Sequence, residues 1–231
     1  MSGRAHSIRV DWPRTFRIIR SIYPPIDLFE DVANPADWEA IAAVDAKING
    51  AVAQSIGDLS KVPARRRVAG EGASWVMAPF VHCSTLRPGR FTDGNFGIYY
   101  AGDSERVALA ETIHHHQKFM EATGEDPGWT SDFRVLIGAI DRHLHDVDTV
   151  PGVRDPDNYA PSQEEGARLR AAGSDGVTWQ SVREPDGRCI GAFWPDVVSI
   201  PVQGAHYMYH WDGTRVDQLW KHDTRELFRL S

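Results

Sequence analysis

The sequence predicts a mixed α+β fold with several short strands and few helices. Three observations carry this expectation. Short apolar or alternating segments are bounded by glycine and proline, notably around 96–101, 133–140 and 177–182. Good helix caps occur near Asn34, at Asp103 or Ser104, and at Ser162. Late in the chain, two aromatic-rich segments flank Asp212-Gly213, a strong hairpin signal.

Taken in order, residues 1–13 are polar and read as a flexible N-terminus, leaving 14–231 as a single domain. Residues 16–22 read as a strand closed by Pro24-Pro25. Asn34 caps a helix with Pro35 in its first turn. Trp38, Ile41, Ala42 and Ile48 supply its apolar contacts and Gly50 stops it, which makes roughly 25–70 a helical segment. Residues 51–80 have mixed periodicity and define no element. Gly94 and Gly97 flank Asn95 as a turn. Phe96, Ile98 and Tyr100 then alternate with Gly97, Tyr99 and Ala101 as a short strand. The helix that follows carries Glu105 in its first turn and Glu111 on the face shared with Val107, His114 and His115.

Beyond a loop at Pro127-Gly128, Phe133 to Ile140 reads as a strand whose only charge is Arg134. The proline-rich stretch 151–161 is a loop, and Ser162-x-x-Glu165 is a capping box opening a helix that ends at Gly173. Strands are expected near 177–182, 188–194 and 197–201. Tyr207 to Trp211 and Val216 to Trp220 form the final hairpin.

Bulk composition excludes several classes. A chain of 231 residues with 42% hydrophobic and 10% aromatic content can bury a full core. Its formal charge of −7 argues against a general nucleic-acid binder. The densest cationic run, Arg65-Arg66-Arg67, reads as a solvated loop. Only Cys83 and Cys189 are present, so packed thiols are expected rather than a disulfide framework. No apolar stretch approaches the roughly 20 residues a bilayer span needs. Met1-Ser2-Gly3-Arg4-Ala5-His6 lacks a secretory apolar core, so a cytoplasmic location is the expectation.

Chemistry concentrates in two places. Arg90-Phe91-Thr92-Asp93-Gly94-Asn95-Phe96-Gly97-Ile98-Tyr99-Tyr100-Ala101, followed by Ala110-Glu111-Thr112, places a fixed cation, a turn, an aromatic strand and a helix-borne carboxylate close together. Far downstream, Asp175-Gly176-Val177-Thr178-Trp179-Gln180-Ser181-Val182-Arg183 is another turn running into a strand, with Ser181 among apolar neighbours. The bland alternative is a helix salt bridge beside an ordinary loop.

Other clusters are weaker. His114-His115-His116 on a helix point about 100° apart and lack the i, i+4 spacing of a helical zinc site, so helix surface with one inward histidine is favoured. Asp141, His143, His145, Asp146 and Asp148 describe either a metal cluster or an exposed strand edge. Ser181 is not in a Gly-x-Ser-x-Gly elbow, and no phosphate loop or Rossmann fingerprint is present.

Arg90, Glu111 and Ser181, in this order and with these flanks, resemble the three positions after which the RES family is named. Phe16-Arg17-Ile18-Ile19 with Tyr23-Pro24-Pro25 resembles its opening strand, and Asp157-Asn158-Tyr159 with Ser162-Gln163 the segment before its late helix, so the likeness covers most of 14–211. Thr178-Trp179 before Gln180-Ser181 departs from the aliphatic residue and Tyr-Pro of many members. The resemblance implies an ADP-ribosyltransferase-like fold and NAD⁺ as a substrate cleaved at its nicotinamide–ribose bond. It further implies a toxin held in check by an Xre-like antitoxin. On this basis Glu111 opposes the developing ribosyl cation, while Arg90 and Arg17 hold phosphate. Tyr99 stacks on nicotinamide, and Ser181 donates a hydrogen bond to the nicotinamide, ribose or phosphate. The ADP-ribose acceptor is a protein, phosphate or water. No metal, membrane or direct nucleic-acid contact is expected. Two other readings stand beside this one: a catalytically silent interaction module, and a metal-dependent hydrolase using the histidine clusters.

Overall fold

The computed structural model describes residues 4–23, 27–31, 34–48 and 56–230. Strand β1 (His6–Arg20) pairs antiparallel with β3 (Thr130–Asp146) from His6↔Asp146 to Arg20↔Phe133, with one irregularity between Trp12 and Thr15. Pro13 lies in that bulge, where its missing N–H costs no ladder bond. The bulge also resets which side chains face which side. Before it, Ile8, Val10 and Trp12 pack into the core beneath the early helices. After it, Phe16 and Ile18 enter the opposite core, and Arg17 and Ile19 face the early helices. Residues 6–13, expected to be loose, are therefore strand, because Ile8, Val10 and Trp12 alternate in step with β3.

The far edge of β3 serves two neighbours. Thr130 to Ile137 pair with β6 (Val202–Trp211), and His145 and Asp146 pair in parallel with β4 (Gly176–Gln180). From β4 the sheet continues through β5 (Arg188–Ala192) to β2 (Tyr99–Gly102), which returns to β1 at Phe16↔Gly102. The pairings β1–β3–β4–β5–β2–β1 thus close a ring. Strands β7 (Val216–Lys221) and β8 (Glu226–Arg229) extend the other wing from β6.

Helices α1 (Asp27–Asp31), α2 (Trp38–Ile48) and α3 (Ala73–Val81) contribute to one apolar cluster with β1, β2 and β5. Helix α4 (Glu105–Thr123) buries Val107, Ala108 and Met120, with Met120 lying among Phe133, Tyr207 and Tyr209. Helix α5 (Ala160–Ala171) is the crossover between the parallel strands β3 and β4, the connection that a parallel pair requires. The mixed α+β class holds, with few helices, although β1 and β3 at 15 and 17 residues are not short.

Several elements differ from expectation. Residues 197–201 are not a strand: a 3₁₀ turn occupies Pro195–Val197, and Pro201 precedes the start of β6. The capping box at Ser162 does not form. Instead α5 begins at Ala160 with Pro161 in its first turn, Ser162 Oγ donates to the Tyr159 carbonyl, and Glu165 pairs with Arg168. Arg65-Arg66-Arg67 is not a solvated loop. Arg66 bridges Asp175 and Asp196, and Arg67 is buried, donating to the carbonyls of Val62, Pro35 and Leu59 and to Glu39. Those stranded carbonyls need donors, and a buried guanidinium supplies up to five. Pro24, Pro25 and Gly50 fall outside the described residues. The expected final hairpin is present, closed by Asp212 Oδ1 accepting from the amides of Thr214 and Arg215 at 2.8 Å. No helix among the described residues is long and apolar enough to cross a membrane.

Helix α5 seats backbone to backbone: a Cβ on Gly166 would lie 2.1 Å from the Phe91 carbonyl oxygen. An exposed helical Gly→Ala change ordinarily gains up to about 1 kcal/mol. Gly166→Ala should instead destabilise by about 1–3 kcal/mol through overpacking, read from the urea midpoint at constant slope. A gain would show that α5 is free to shift from Phe91.

Candidate functional site

Helix α4 is started by Ser104, whose Oγ accepts from the Val107 amide at 3.3 Å. Two turns on, Glu111 reaches the end of β4. There the chain leaves the strand at Ser181, whose amide donates to the Gly187 carbonyl at 2.9 Å. Ser181 is fully buried. Its hydroxyl accepts from the amides of Arg183 (3.2 Å) and Glu184 (3.0 Å) and donates to Glu111 Oε1 at 2.7 Å. With its oxygen used to cap the turn, the hydroxyl has its proton aimed at the carboxylate. Cys189 Sγ lies 3.8 Å from the same Glu111 oxygen. Burial, reinforced by the Glu111 charge, pushes this thiol's pKa up, so it stays protonated.

Arg90 is buried and does not touch Glu111. One of its Nη atoms donates to the carbonyls of Val153 (3.1 Å) and Asp155 (2.8 Å), and its guanidinium lies 4.4 Å from the Tyr159 ring centre. Arg17 donates to the Tyr100 carbonyl at 3.1 Å and stands 4.7 Å over the Tyr99 ring. Burial lowers its pKa, and its Nε is buried without a hydrogen-bond partner. Tyr99 is wholly buried beneath Arg17, its phenol pushed up to about 12 by burial. The strand thus turns Tyr100, not Tyr99, toward open space. The Tyr100 hydroxyl accepts from the Phe91 amide at 3.0 Å.

That space is a cavity of about 560 Å³ between α3, β1 and the 82–98 segment. Arg17, Tyr100, Trp75, His82, Arg87 and Phe96 are among its walls, and among the described residues no Asp or Glu lines it. Arg90, Glu111 and Ser181 stand outside its lining, although Gly89 next to Arg90 belongs to it. Tyr100 connects the two regions. Its ring meets the Trp179 edge at 6.2 Å, two residues before Ser181, and its hydroxyl feels the charges of both Arg90 and Arg17. The structure therefore joins Glu111 to Ser181 directly, sets Arg90 close by on its own anchors, and places Arg17 at the cavity. Sequence reasoning preferred Tyr99 to Tyr100 and did not single out the cavity residues Trp75 and Arg87. Alternation offered two adjacent tyrosines without saying which faces out, and Trp75 lay in the segment without clear periodicity.

The histidines separate. His114 Nε2 lies 2.7 Å from Arg183 Nη2 rather than meeting Glu111. Burial and then the Arg183 charge hold its pKa down to about 4, so the neutral ring accepts a hydrogen bond from the guanidinium. His115 is exposed, while His116 is buried among Phe119, Phe133 and Tyr209 and lowered to about 4, chiefly by burial and then by Arg20. In the second cluster Asp141 pairs with Arg9, His145 with Ser174, and Asp146 and Asp148 with Arg188. These carboxylates are committed to ion pairs. Among the described residues no group of three or more His, Cys, Asp or Glu side chains is placed to hold a metal ion.

A closed-ring α+β fold that brings a helical glutamate onto a strand-end serine beside an anchored arginine defines the Arg–Glu–Ser class of site. The chain belongs to the RES-domain family, whose family model matches residues 64–212. That span begins after β1, so Arg17 lies outside it. An uncharacterized protein of Sinorhizobium fredii, y4oC, is 30% identical over 213 residues, covering 90% of this chain and 87% of that protein. The crystal structure of the M. tuberculosis MbcT–MbcA toxin–antitoxin complex contains a chain with a TM-score of 0.42 and 11% identity, covering 90% of this chain and 87% of that one. A likeness that loose carries no argument.

His114 and His116 set an acid limit on stability. Above the unfolded value of 6.5 both are neutral in either state; as pH falls toward about 4 the unfolded chain takes up protons that the folded one refuses. Stability should therefore decline from pH 6.5 to 4. His116→Phe should flatten part of that slope in urea midpoints measured across the range. An unchanged slope would show that His116 titrates normally in the fold.

Proposed function

We propose that this chain is an NAD⁺-consuming toxin that breaks the nicotinamide–ribose bond and is neutralised by a cognate antitoxin. The observation that carries the reading is the cavity: about 560 Å³ walled by Arg17, Arg87 and aromatic rings, with no Asp or Glu among the described residues that line it, and linked through Tyr100 and Trp179 to the turn where Ser181 holds Glu111. Its volume falls in the usual small-molecule range of roughly 300–1,000 Å³. In a chain of net charge −7, such a lining suits an anion bearing flat rings, which describes a dinucleotide pyrophosphate.

The residues then divide the work. As nicotinamide leaves, positive charge grows on the ribose. Glu111, held by Ser181, opposes that charge and accepts from a ribose hydroxyl. Tyr100 offers the aromatic face first sought at Tyr99, and Tyr99 supports Arg17 from beneath. Ser181 fixes the carboxylate, and Arg17 with Arg87 holds phosphate. The acceptor is water, phosphate or a protein side chain. RES-family membership supports the toxin role and the antitoxin, expected to be Xre-like.

A structural role for Arg90 is favoured by a separate observation, since one of its Nη atoms is engaged by both the Val153 and the Asp155 carbonyls. Arg90→Lys should then loosen the 153–159 loop more than it weakens substrate binding.

Purified protein with labelled NAD⁺, with and without phosphate, should release nicotinamide. Glu111→Gln should cut the rate by about two decades or more, roughly 3 kcal/mol, while NAD⁺ still binds. Retained turnover in that variant would remove Glu111 from the chemistry. Expression of the chain alone should arrest bacterial growth and deplete NAD⁺. Normal growth at verified folded expression would favour a catalytically silent module.

A further inference from the structure

The turn at Ser181 is clasped to α4 at two successive helical turns. Glu111 receives the Ser181 hydroxyl at 2.7 Å, and three residues later His114 Nε2 receives Arg183 Nη2 at 2.7 Å. The same Nη2 donates to the Pro156 carbonyl at 3.1 Å. The neighbouring Asp155 carbonyl is held by Arg90. Arg106 adds a third, exposed tie from α4 to Glu184 at 3.1 Å. Ser181 alone cannot fix the carboxylate, because a hydroxyl rotates about one bond and its own position depends on the turn whose Arg183 and Glu184 amides it caps. A second attachment one helical turn away removes that freedom.

We infer that His114 and Arg183 form a positioning pair that locks the Ser181 turn against α4 and so aims the Glu111 carboxylate. Arg183 is always cationic and can only donate, so the His114 nitrogen facing it must carry the lone pair and the proton must sit on Nδ1. Neither residue touches the reacting atoms in this arrangement. Their effect passes through Ser181. The catalytic part of this inference rests on Glu111 acting in NAD⁺ cleavage; the locking itself does not.

The test pairs an acceptor-free variant, His114→Leu, with His114→Gln, whose side-chain oxygen can accept from Arg183. Amide hydrogen exchange at Arg183 and Glu184 is read alongside kcat and KM for nicotinamide release. In His114→Leu, exchange at those two amides should rise at least tenfold. The kcat should fall about tenfold with KM within twofold, and His114→Gln should restore most of both. Unchanged protection in a folded His114→Leu protein overturns the lock, whatever the activity. Faster exchange with unchanged kcat overturns the positioning of Glu111. A wild-type protein that consumes no NAD⁺ overturns the proposed reaction, and the exchange measurement still decides whether the lock exists.

Discussion

The bulge at Pro13 in the β1–β3 ladder is the constraint on which the site depends. A strand shows alternate residues to alternate faces, so a single extra residue exchanges the faces for everything that follows. Before the bulge, apolar Ile8, Val10 and Trp12 face the early helices. After it, that side receives Arg17 and Ile19, and the opposite side receives Phe16 and Ile18. Without the bulge, a guanidinium would be driven into the cluster around Phe133 and Tyr207, and the cavity would lose Arg17 from its wall. The ladder's length gives this register its strength. Thirteen residue pairings link β1 to β3, and a slip by one would bury charge along the whole strand.

The same ladder brings distant chemistry together. β3 splits its far edge between β6 and β4, and the branch through β4 ends at Ser181. α4 packs over β1 and carries Glu111 into that end. Residues 70 positions apart in the chain thereby meet at 2.7 Å. Around them the guanidinium groups are largely committed to backbone carbonyls: Arg90 to 153 and 155, Arg183 to 156, Arg17 to 100. Loop carbonyls that are removed from water need donors, and arginine provides several without ever losing charge. The arginines around Ser181 and Tyr100 are thus placed by the way the loops and strands are held.

Much of this was legible in the sequence, and the failures have local causes. The α4 cap at Ser104, the final hairpin and the Arg–Glu–Ser order could be read directly, because each is a short-range pattern. β1 was under-read at 6–13 because Pro13 and the charges of Arg9 and Asp11 masked the alternation of Ile8, Val10 and Trp12. Arg66 and Arg67 looked solvated because their partners, Asp175, Asp196 and the 59–62 carbonyls, are chosen by tertiary packing. β8, Glu226–Arg229, escaped notice because all four of its side chains are exposed and carry no core-facing pattern. For the tyrosines, the alternation rule was right and only its phase was open. β2 takes its phase from β1 and β5, and those pairings cannot be seen in four residues.

The anchoring of Arg90 runs through one Nη atom. Its two carbonyl bonds and its contact with the Tyr159 ring brace the 153–159 loop. Removing those bonds would strand two acceptors, at about 1–3 kcal/mol for each if it stayed buried. Arg17 is held differently. One Nη donates to the Tyr100 carbonyl, the guanidinium lies over the Tyr99 ring, and Nε is buried without a partner, so an outside acceptor would reach that Nε only after the side chain shifts. Arg90 and Arg183 meanwhile grip the adjacent carbonyls of Asp155 and Pro156, which ties the segment before Phe91 to the Ser181 turn through one stretch of backbone.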